Sequence, residues 1–137
     1  MNAAKVTLND CLDGGPEASA KTSAIDQEHL SRMTLGDRRL EREVLQIYVR
    51  QSAIMLGRMA SGDPATVAAA AHTICGSARG IGAWRVAKAA EHLEQASNGG
   101  SESTLNEALT ELKAANLEAG VAVAARLGDQ SARQPLP

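Results

Sequence analysis

The chain has no phenylalanine, and Trp84 and Tyr48 are its only aromatic residues. A core without large rings must be built from Leu, Ile, Val, Met and Ala, which favours closely packed helices. Cysteine is scarce too. Cys11 and Cys75 form neither a CxxC pair nor a disulfide framework, so a reducing cytoplasm is the expected setting. No apolar run approaches the ~20 residues that span a bilayer. The opening MNAAKVTLND has no apolar stretch after its lysine, so neither a signal peptide nor a membrane partner is expected. Charge of one sign is also missing. A formal net charge of −2 supplies no broad basic field and argues against nucleic acid as a partner.

What is present reads as one domain between two polar ends. Residues 1–23 contain GGPEASAKTS, show no sustained periodicity and are expected to be a flexible leader; residues 129–137 are expected to be a flexible tail. Between them, residues 24–128 carry helical patterning. Asp26 is placed to cap a short first helix over IDQEHLSRM, with Ile25 as a staple. Asp37 caps a second, whose apolar face is expected to include Leu40, Val44, Ile47, Tyr48, Met55 and Met59. Asp63 followed by Pro64 starts a third, which GIG at 80–82 ends or bends. A fourth is expected over about Ala83–Ala96, with Val86, Ala90 and Leu93 on one face. The fifth spans roughly Ser101–Leu127 and carries Leu105, Leu109, Leu112 and Val123. No strand alternation is visible. The expected fold is all-α: an antiparallel four-helix bundle with a short additional N-terminal helix.

The third helix holds AHTICGSARG, where Gly76 stands one turn after His72. Glycine in a helix costs about 1 kcal/mol relative to alanine. At about 100° per residue, Ala71, Ile74, Ala78 and Ile81 fall within about 60° of Val67 and form a core stripe. His72, Gly76 and Arg79 fall on the opposite side, with Ala65, Ala68 and Ala69; Cys75 stands on the flank. Gly76 therefore does not serve the core stripe, and instead leaves His72 on a bare surface. An exposed neutral imidazole is a competent nucleophile toward phosphorus near pH 7. Phosphoryl transfer needs alignment and charge stabilisation more than elaborate covalent chemistry, so a partner could supply the metal and the donor.

The stretch AHTICGSARGIGAWRVAKAAEHLE resembles the phosphorylation-site helix and the following helix of histidine-containing phosphotransfer (HPt) domains of bacterial two-component phosphorelays. His72, Gly76, Gly82, Leu93 and Glu94 match that pattern, and AID at 24–26, LGD at 35–37 and SGD at 61–63 sit where similar segments occur. The resemblance implies a four-helix bundle whose His72 accepts a phosphoryl group from a receiver-domain aspartyl phosphate and relays it to another receiver. Gly76 is then the access residue. Receiver domains and a hybrid sensor histidine kinase are the implied partners. The carrier is expected to be a cytoplasmic monomer without ATP-dependent kinase activity, and to need no cofactor, the magnesium belonging to the receiver. No Walker-type or kinase glycine-rich loop is present. The family's lysine three residues after the histidine is Cys75 here, and Arg79 is the candidate charge partner in its place.

Two other readings stay open at this point. His72 and Cys75, at i and i+3, could begin a metal site, though His29 and His92 add no matching pattern. The chain could also be a degenerate HPt-like scaffold that binds receiver or kinase domains without carrying phosphate.

Overall fold

A computed structural model of the chain describes residues 24–60 and 62–133, the side chains only as far as Gly128. It is all-helical, and among the described residues there is no strand. The five helices are α1 (Gln27–Met33), α2 (Arg38–Met59), α3 (Pro64–Ile81), α4 (Trp84–Ser97) and α5 (Glu102–Arg133). The expected leader, residues 1–23, lies outside the described residues.

The helix starts are set by aspartates. Asp26 accepts a hydrogen bond from His29 N–H, Asp37 from Arg39 and Leu40 N–H, and Asp63 from Thr66 N–H, each satisfying donors that a helix start leaves open. Pro64, with its fixed φ, follows the last of these caps. Gly82 closes α3 in the left-handed region at φ 81°. A Cβ there would stand 2.9 Å from both Cβ and the carbonyl oxygen of Asp26, so only glycine fits.

α3 lies at the centre of the bundle, between α2 and α4, and α4 packs on α5. Both α3 and α4 bury several alanines, Ala70, Ala71 and Ala78 on the first and Ala87, Ala89 and Ala90 on the second, which suits close packing of the two. Leu30, Leu45, Ile74, Ile81, Leu93 and Leu112 supply the large buried side chains, each stabilising by about 1.5–3 kcal/mol. The α2–α5 seam is polar. Tyr48 donates to Asn116 Oδ1 at 2.5 Å, and Arg126 grips Glu41 through Nε at 2.5 Å and Nη2 at 3.1 Å. Burial pushes the Tyr48 phenol well above its usual range.

Two expectations need correction. Ile47 is not core but half-exposed, and Leu45 is buried instead. Ser77 and Gly80, opposite Ile47 across a shallow depression, are too small to cover it. The last helix also continues past Leu127 to Arg133. Gly128 alone costs too little to stop a long helix, and the first strong breaker downstream is Pro135.

Candidate functional site

The core stripe of α3 is Val67, Ala70, Ala71, Ile74, Ala78 and Ile81, all buried. Burying that stripe turns His72 outward, and its side chain is 76% exposed. Ala65 and Ala69 are exposed on the same side, Ala68 and Cys75 half-buried at its edges. Gly76 stands one turn further on, and a Cβ added to it would meet nothing within 4 Å. No packing among the described residues therefore requires glycine there. Gly80 and Gly120 are equally open, so openness alone marks no site. What distinguishes Gly76 is its place beside the imidazole.

α4 adds a contact that helix periodicity alone does not show. His72 Nδ1 lies 3.3 Å from Glu94 Oε2 and 3.4 Å from Oε1. A carboxylate can only accept, so the hydrogen-bonded neutral imidazole carries its proton on Nδ1. The Nε2 lone pair then points to solvent. The contact favours one orientation of the ring, and a carboxylate at Nδ1 can balance positive charge that substitution at Nε2 would bring. The pairing follows from hairpin register: His72 lies ten residues before Gly82 and Glu94 twelve after it. Glu94 entered the sequence pattern as a family match, without a role; its role needs α3 and α4 folded against each other.

Arg79 is exposed on the His72 side, as the wheel predicts, but stands about 10 Å along the axis. Its guanidinium makes no hydrogen bond or ion pair among the described residues. Its carbonyl has a structural task, accepting a hydrogen bond from His29 Nε2–H at 2.9 Å. The His29 ring meets Trp84 edge-on at 4.8 Å, and Trp84 Nε1–H donates to buried Asp26 at 3.0 Å. Burial alone raises the Asp26 pKa. The hydrogen bonds from Trp84 and His29, with the charges of His29 and Arg32, outweigh it and leave the carboxyl below its usual value. This joint seats α1 on the α3–α4 corner, and the sequence pattern did not reveal it.

His92 is half-exposed, its Nδ1 3.6 Å from Glu111. Among the described residues no group of three or more His, Cys, Asp or Glu could hold a metal ion. Among them, too, no helix is long and apolar enough to cross a membrane.

The chain was compared with known proteins. A family model described as Hpt domain matches residues 43–127, well over half of the chain. No curated protein and no solved structure matches it.

Proposed function

Because the chain belongs to the Hpt domain family of phosphorelay proteins, we propose that His72 is its phosphoacceptor and that the molecule shuttles phosphoryl groups between receiver domains. One observation carries the reading: an exposed imidazole with Nδ1 against Glu94, Nε2 open to solvent and a bare glycine beside it. In the forward step the Nε2 lone pair attacks the phosphorus of a receiver aspartyl phosphate. The acyl O–P bond breaks, the aspartate carboxylate leaves, and Nδ1–H stays on Glu94. The reverse step passes the group to a second receiver.

This is carrier chemistry, since each transfer leaves the protein modified until the next. The magnesium belongs to the receiver, and a cytoplasmic monomer suits the role. Cys75 offers no cation to the phosphoryl oxygens, so charge compensation falls to the receiver and, over a longer reach, to Arg79. That substitution is also the one feature favouring a scaffold that only binds.

The test is incubation with labelled, phosphorylated receiver domains from the same organism. Acid-labile, alkali-stable label is expected on the wild type and none on His72→Gln. Receiver binding without label on any histidine would leave the scaffold reading standing and remove the carrier.

A further inference from the structure

We propose that the outer face of α5 is a self-association surface, on which a second copy of the chain lays the same helix in parallel. The carrier reading needs only one copy, and this inference stands apart from it.

A surface helix of a bundle needs one apolar stripe, facing the core, with polar residues outside. α5 has two. Its inner stripe is Ala108, Leu112, Ala119 and Val123, all buried. Its outer stripe is Thr110, Ala114, Leu117, Val121, Ala124 and Gly128, all exposed. At about 100° per residue, Leu117 and Val121 stand roughly 140–180° from Leu112, on the far side of the helix. They are 71% and 65% exposed, more than any other large apolar residue in the described helices. The Thr110 hydroxyl donates to Asn106 O at 2.9 Å, which leaves its methyl group to the stripe. None of the six residues is charged.

The spacing identifies the occupant. Steps of four and three residues alternate along the outer stripe, the heptad period of a helix that packs lengthwise on another helix. Val121 then takes the first core position of the heptad and Leu117 the fourth, the combination that favours a two-stranded parallel pair. A two-fold axis along the seam sets each residue against the same residue of the other copy, so no second sequence is needed. Charge agrees with the parallel direction. Lys113 and Glu118 hold flanking heptad positions, five residues apart, that face each other across a parallel pair, twice by symmetry. Lys113 makes no ion pair among the described residues. Glu118 also holds Arg85 at 2.6 Å, and a carboxylate can accept from both. In an antiparallel pair Glu118 would instead flank Glu118 of the other copy. α5 packs on α4 and α2, whereas α3 carries His72. Two copies joined through α5 therefore leave both imidazoles uncovered.

Sedimentation equilibrium of the full chain between about 10 μM and about 1 mM is expected to show monomer and dimer, with a dissociation constant on the order of 100 μM. Leu117→Ser removes a side chain that the core does not use. The change acts twice in a symmetric pair, so it is expected to weaken the dimer by about tenfold or more, with far-UV circular dichroism unchanged. Orientation is read in a Cys11→Ser, Cys75→Ser background, where Val121→Cys is expected to cross-link to itself on mild oxidation. A wild type that stays monomeric across the range overturns the proposal and leaves the seam to a different occupant. A dimer that Leu117→Ser does not weaken overturns the assignment of the surface. If Val121→Cys fails to cross-link while the dimer persists, the parallel arrangement falls.

Discussion

In the proposed reading the two ring nitrogens of His72 do different work: Nδ1, against Glu94, fixes the ring, and Nε2 is the atom that reacts. The pair is exposed, and exposed ion pairs contribute at most about 1 kcal/mol to stability, so its value lies in orientation rather than in holding the fold. Gly76 pulls the other way. Its Cβ position is empty, so Gly76→Ala fits without strain and is expected to stabilise the protein by about 0.5–1 kcal/mol, read as a raised urea midpoint. The added methyl crowds the approach to Nε2, so the rate of transfer from a receiver is expected to fall. A variant both more stable and equally fast would show that the glycine has nothing to do with access. The exposure of His72 was legible from the sequence because it depends only on the period of one helix. Glu94 as its partner was not, because that depends on how two helices pack.

At the scale of elements, the short α1 is held by the corner where α3 turns into α4. Asp26 N–H donates to Gly82 O at 2.9 Å, and the Asp26 carboxylate accepts from Trp84 and His29. The folded pKa of Asp26 lies below its unfolded value, so the native state binds fewer protons than the unfolded chain as this group titrates. Its contribution is therefore complete above the ordinary carboxylate range and drains away as pH falls below about 4. Asp26→Asn is expected to lower stability by about 1–2 kcal/mol at pH 7. Melting curves of the two proteins should converge as the solution is acidified through that window; a constant gap would mean the carboxylate charge contributes nothing. The cap itself was readable, since an aspartate before a helical run has a local meaning. Its bond to Trp84, 58 positions away, has no local signature. The same boundary explains Ile47 and Leu45. Periodicity located the helix, but the width of its buried face was set by the small residues of α3 across from it.

In the whole molecule the proposed reactive face and the polar seam are on different helices. His72 and Glu94 belong to α3 and α4, which both bury several alanines, whereas α2 and α5 are joined by polar groups. Five helices and their order could be read from caps and breakers, but the seam could not, because the Glu41–Arg126 pair bridges 85 positions of sequence. Its two members differ in exposure. The Glu41 side chain is 5% exposed and that of Arg126 30%, so loss of the arginine removes two hydrogen bonds from a buried carboxylate that water reaches poorly. Arg126→Met is expected to destabilise the protein by about 3 kcal/mol, the low end for a broken buried pair because the arginine is partly solvated. The double variant Glu41→Met with Arg126→Met buries no carboxylate at the seam and should recover most of that loss. By contrast Arg85→Ala, which breaks the exposed 2.6 Å pair with Glu118, should change stability by less than about 1 kcal/mol. Denaturant titration of the three variants checks the order. If the double variant were as unstable as Arg126→Met alone, the seam would depend on the ion pair itself rather than on the cost of a buried carboxylate that has lost its arginine.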